Sequence, residues 1–61
     1  MRVITITNKT LTDWDGLTED IREVTATIDG VDSGVVLSGP SSASDEGCED
    51  AMNDKLDELG L

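Results

Sequence analysis

The stretch Leu17-Thr18-Glu19-Asp20-Ile21-Arg22-Glu23-Val24-Thr25-Ala26-Thr27-Ile28 decides the fold, because it supports two opposed readings. Leu17, Ile21, Val24 and Ile28 recur at helical spacing, with Thr18 placed to cap and Glu19 and Asp20 placed in a first turn. Val24, Ala26 and Ile28 also alternate with Thr25 and Thr27, and β-branched residues at that density lose side-chain freedom in a helix and suit a pleated surface. The balance favours a strand from Arg22 to Ile28, preceded by a short helical turn.

The flanks constrain what that segment joins. On its amino-terminal side, Arg2 to Thr7 alternates, with Ile4 and Ile6 on one face and Val3, Thr5 and Thr7 on the other, which is the pattern of a strand. Asn8 to Gly16 is read as a loop, with Asp13-Trp14-Asp15-Gly16 as the reversal. On the carboxy-terminal side, Asp29 to Gly34 is dense in turn formers and Val35 to Ser38 is a short apolar strand. A strand at Arg22 to Ile28 therefore predicts a hairpin, and a helix there predicts strand–helix–strand with a right-handed crossover.

Residues 39–43 read as a linker, and 44–61 as a helix with Ser44 as N-cap, Asp45 and Glu46 in the first turn, and Gly60 as its stop. Cys48, Met52, Leu56 and Leu59 form its apolar stripe, while Asp50, Asp54 and Glu58 load the opposite face with like charge. The expectation is one small α+β domain over 1–61, with a sheet of two or three strands in 1–38 covered by the carboxy-terminal helix. The alternative is strand–helix–strand–helix. The expected core is Ile4, Ile6, Val24, Ile28, Val35, Leu37, Met52, Leu56 and Leu59.

Leu17 to Val24 together with Gly30-Val31-Asp32-Ser33-Gly34-Val35-Val36-Leu37 resembles the amino-terminal part of a thiamine-phosphate synthase family. That resemblance implies a helix over Leu17 to Ile28. It carries over no catalytic residue, because the family's His-Thr-Thr segment is replaced here by Pro40-Ser41-Ser42-Ala43.

Composition narrows the chemistry further. The 61 residues hold 14 acids against 4 bases, a formal charge of -10, with no His, Phe or Tyr and a single Cys. Triads and most proton shuttles need His, and a lone Cys48 forms neither an internal disulfide nor a zinc site, so no catalytic residue, cofactor or metal is expected. Asp13-Trp14-Asp15-Gly16 with Thr18, Glu19 and Asp20 is rich in oxygen donors but lacks the spacing of a calcium loop, and is read as a solvated turn. Asn8-Lys9-Thr10 matches a glycosylation triplet, with no export signal to support it. Four scattered bases do not suit nucleic acid, and no apolar run approaches a membrane span.

Scarce Lys, abundant Thr and Asp in excess of Glu are the composition of proteins that work in concentrated salt, where a Debye length of about 3 Å suppresses self-repulsion. A core this small calls for association. The expected function is therefore a non-enzymatic structural or interaction subunit of a homo-oligomer or larger assembly, cytoplasmic or part of a virion of a halophilic host. The alternative is a small acidic, antitoxin-like adaptor for a basic protein. Trp14, Cys48, Met52, Leu56 and Leu59 are the candidate interface residues, with Trp14 either a lid over the core or an anchor, and Cys48 either a buried hydrophobe or an intermolecular disulfide. The edge at Arg2 to Thr7 invites pairing with another copy or another protein.

Overall fold

The computed structural model describes residues 1–61. It contains β1 (Arg2–Thr12), β2 (Thr18–Ile28), β3 (Val31–Pro40) and α1 (Asp45–Leu59). The strands form one antiparallel meander in the order β1-β2-β3. This is the expected α+β architecture with three strands, and the strand–helix–strand–helix alternative is not formed.

The ambiguous segment is strand throughout. Thr18, Glu19 and Asp20, read from sequence as a helix cap and first turn, pair with Thr12, Leu11 and Thr10 of β1. The Thr10 hydroxyl donates to Asp20 Oδ1 at 2.9 Å across the ladder. The helix over Leu17 to Ile28 implied by the family resemblance is therefore absent. Cross-strand pairing overrides a local helix signal because each residue so paired gains a cross-strand neighbour on its own face and a place in the ladder.

β1 extends for the same reason. Its register with β2 runs unbroken from Arg2↔Ile28 to Thr12↔Thr18, so the expected loop at Asn8 to Gly16 contracts to the residues after Thr12. There Asp13 Oδ1 accepts from the backbone N–H of Asp15 at 3.0 Å and of Leu17 at 2.9 Å, folding the reversal around one carboxylate.

The second connection is tighter than its sequence suggests. Asp29 and Gly30 both have positive φ, at 52° and 83°, which is the two-residue type I′ hairpin that matches strand twist. Asp32, Ser33 and Gly34 then belong to β3 as an irregularity, because Thr25 pairs with Val36 while Thr27 pairs with Asp32. Gly34 takes φ 75°, and its N–H donates to Asp32 Oδ1 at 2.9 Å. β3 also absorbs Gly39 and Pro40 from the expected linker.

Core packing follows from strand alternation. Ile4, Ile6, Val24, Ala26, Ile28, Val35 and Leu37 point to one face, and α1 lies on that face with Cys48, Met52 and Leu56 turned inward. Val24, Ala26, Cys48, Met52 and Leu56 are buried, with Met52 and Leu56 sealed completely. Ser44 Oγ accepts from Gly47 N–H at 3.0 Å at one end of the helix, and Gly60 at φ 77° ends it, with Leu61 N–H reaching the Leu56 carbonyl at 2.9 Å. Leu59 departs from the expected core: it lies on the same angular stripe but remains 51% exposed. Arg2, the first residue of β1, already reaches Asp57 at 2.8 Å, so the last turn passes beyond the end of the sheet.

Met52→Ala should destabilise the fold by about 2–5 kcal/mol in denaturant unfolding at molar potassium chloride. Leu59→Ala should cost less than about 1 kcal/mol under the same conditions. Equal losses would contradict this placement of the core.

Candidate functional site

The helix is shorter than the sheet it covers. Fifteen helical residues span about 22 Å, whereas an eleven-residue strand spans about 37 Å. The mismatch leaves one end of the β1–β2 ribbon uncovered. Arg22 marks the boundary: its guanidinium donates to the Ala43 carbonyl at 2.7 Å and meets Asp45 Oδ1 at 2.6 Å, holding the start of α1 at the middle of β2. Every residue from Thr7 to Asp20 is exposed, and β3 ends at Pro40 opposite Ile21, so the ribbon beyond that point is a two-stranded arm.

The tip of that arm exposes three large apolar side chains among carboxylates. Trp14 is 98% exposed, and Leu11 and Leu17 line a shallow depression of about 540 Å³ beside it. Trp14 therefore covers nothing, and the reading of it as a lid over the core is replaced by an aromatic residue presented to solvent at the end of a stalk. Leu11 and Leu17 share that depression, and large apolar side chains gathered at one end of a fold mark interaction surfaces more often than scattered ones.

The other candidate interface residues separate by depth. Cys48, Met52 and Leu56 are buried in the chain's own core, which leaves Trp14 and Leu59 as the two that another molecule can touch directly. The Cys48 thiol is a small buried hydrophobe here, packed where an intermolecular disulfide has no access. Leu11 and Leu17, expected in a loop and a helical turn, join Trp14 because the extended hairpin brings them to one end.

A second surface feature lies between β3 and the start of α1. It is a mostly apolar cleft of about 430 Å³, lined by small residues including Gly39, Ala43, Gly47 and Ala51, with no charged side chain in its walls. Cys48 borders it but is itself buried, 4% exposed, and no acid or base side chain shares the lining.

Electrostatics set the rest of the surface apart. All four basic side chains are already paired: Arg2 with Asp57 at 2.8 Å, Lys9 with Glu23 at 2.9 Å, Arg22 with Asp45 at 2.6 Å and Lys55 with Glu58 at 3.7 Å. The amino terminus pairs with Asp29. The carboxylates of Glu46, Glu49, Asp50 and Asp54 on α1, and of Asp13, Asp15, Glu19 and Asp20 on the arm, have no cationic partner. No group of three or more His, Cys, Asp or Glu side chains converges in a way that would hold a metal ion, and the Asp13 carboxylate is engaged by its own loop. No helix is long and apolar enough to cross a membrane. Comparison with protein families, curated proteins and solved structures finds no match to this chain.

Because Trp14 makes no packing contribution, Trp14→Ala should change unfolding free energy by no more than about 0.5 kcal/mol, read by circular dichroism in molar salt. A loss several times larger would place Trp14 in the core and remove it as a surface anchor.

Proposed function

We propose that this chain is a non-catalytic interaction subunit, adapted to concentrated salt, that acts through surface contacts in a homo-oligomer or larger assembly. The observation that carries the reading is the projecting arm, whose tip presents Leu11, Trp14 and Leu17 to solvent. An unbound protein gains nothing from displaying its only aromatic side chain at the end of a stalk, whereas an assembly buries it as an anchor.

The charge distribution supports the salt component. With every basic side chain engaged, the remaining carboxylates repel one another across α1 and the arm, and salt weakens that repulsion while strengthening apolar contact. A virion or cytoplasmic particle of a halophilic host is the setting in which such a subunit fits. A second reading, an adaptor for a basic protein, draws on Glu46, Glu49, Asp50 and Asp54 as an unneutralised acidic patch on one helix. The two differ in sign with salt, because apolar assembly tightens and charge attraction weakens.

Size-exclusion chromatography with light scattering, combined with circular dichroism across a potassium chloride series, tests this. The expected result is an oligomer with full helical signal at molar salt and loss of both in dilute buffer. A fully folded monomer in dilute buffer that stays monomeric at molar salt contradicts the proposal. Capture of a basic protein partner at low salt, lost at molar salt, would favour the adaptor.

A further inference from the structure

We propose that two copies of this chain join edge to edge through β1, antiparallel and centred on Thr7, to form one six-stranded sheet. The inference rests on the assembly reading above and names one partner and one seam, which runs along Arg2 to Thr12 and leaves the Trp14 tip free for a separate contact.

The sheet has two edges, and they differ in chemistry. β3 is interrupted at Gly34, where three residues oppose one on β2, and it ends in Pro40. Bulges and proline are among the devices that protect an edge from pairing. β1 carries neither, and its ladder with β2 is regular along all eleven residues. It is also the only element without an acidic residue: its charges are Arg2 and Lys9, whereas β2, β3 and α1 each carry carboxylates. In a chain of charge -10, this is the one edge strand that brings no carboxylate of its own to the seam.

The backbone fixes which registers are open. Asp29 N–H donates to the Met1 carbonyl and Asp13 N–H to the Leu17 carbonyl, so the odd-numbered residues of β1 turn their peptide groups toward β2. By alternation, Arg2, Ile4, Ile6, Asn8, Thr10 and Thr12 turn theirs outward. A two-fold seam must pair outward residues with outward residues. Centring on Thr7 does so and uses the whole strand: Ile6 meets Asn8 of the second copy, Ile4 meets Thr10 and Arg2 meets Thr12, for about twelve interchain hydrogen bonds.

Side chains agree with that register. On the face away from α1, Val3 of one copy lies opposite Leu11 of the other. These are the two exposed large apolar residues of β1, 47% and 51% exposed, and they stand symmetrically about Thr7. Thr5 faces Lys9 and Thr7 faces itself, so no like charges are opposed. Arg2 of one copy comes alongside the acidic loop that begins at Asp13 of the other.

The seam also completes the arm. A two-stranded ribbon is marginal in water, and β3 stops short of Thr10 to Thr12. Pairing lays Arg2 to Ile4 of the second copy beside those residues as the missing third strand. A two-fold axis perpendicular to the sheet keeps both helices on one face, above the two β2 strands and about 14 Å apart. Two acidic helices at that distance repel in dilute buffer and are screened at molar salt, so the dimer is salt-dependent.

The direct test is a cysteine scan in a Cys48→Ser background at molar potassium chloride under mild oxidation. Thr7→Cys places two thiols opposite each other in a non-hydrogen-bonded pair, close enough for a disulfide, and should convert most of the protein to a reducible dimer. Thr5→Cys alone should stay uncrosslinked, and should crosslink when mixed with Lys9→Cys. In the wild-type chain, the amides of Ile4, Ile6, Asn8 and Thr10 should exchange as slowly as those of Thr5 and Thr7, whereas a free edge would exchange them at least tenfold faster. Fast exchange at those four amides, with no Thr7→Cys dimer, overturns the seam. If the wild type is nevertheless an oligomer by light scattering, the assembly reading survives and its contact lies elsewhere; if it is a monomer at molar salt, both fall.

Discussion

Everything in this fold depends on the seating of Met52 and Leu56 against Val24 and Ala26. These four side chains, with Cys48, are the whole of the buried interior. Ala26 matters by being small, since it lets a helix bearing two long side chains settle close to the central strand. Ile4, Ile6, Ile28, Val35 and Leu37 close the rim around them and are only partly covered, because one helix is too narrow for three strands. The two arginines at the ends of this contact fix its direction and extent. Arg22 holds the helix start through Ala43 and Asp45, while Arg2 holds its end through Asp57, Asn53 and the Leu61 carbonyl.

That arrangement determines where the surface is available for interaction. With α1 confined between Arg22 and Arg2, the rest of the β1–β2 ribbon is left to project, and its tip exposes Trp14, Leu11 and Leu17. It also leaves the charge unbalanced. The helix that closes the core carries seven of the fourteen acids against Lys55 as its only base, so the element most needed for stability is the most repelled. Exposed ion pairs such as Lys55 with Glu58 contribute little against this. In the proposed assembly, ionic strength therefore acts on the fold and on association through this one element.

Much of this was legible in the sequence. Ser44, the Cys48-Met52-Leu56 stripe and Gly60 mark the helix, read as 44–61 and formed over Asp45–Leu59, and the alternation of Ile4 with Ile6 and of Val24 with Ala26 predicts the strands and their inward faces. The errors share a cause. Thr18-Glu19-Asp20 has the local chemistry of a helix start, and Asn8 to Thr12 that of a loop, yet each is held extended by the other. Pairing between residues six to fourteen apart leaves no mark on either stretch alone. Likewise Asp32-Ser33-Gly34 contains turn formers that serve a bulge inside β3. Leu59 sits at the right helical angle, but angle does not report where the sheet ends. The arm, and with it the grouping of Leu11 and Leu17 with Trp14, is a product of the length difference between strand and helix.

The most direct test of this account uses the chain's own probe, since Cys48 lies inside the contact between α1 and β2 and is the only thiol. Its rate of modification by a small disulfide reagent, followed as potassium chloride is lowered from molar to dilute, reports how often the helix lifts from the sheet. The account predicts slow labelling at molar salt that accelerates at least tenfold in dilute buffer. A rate independent of salt, or fast labelling at molar salt, would contradict it.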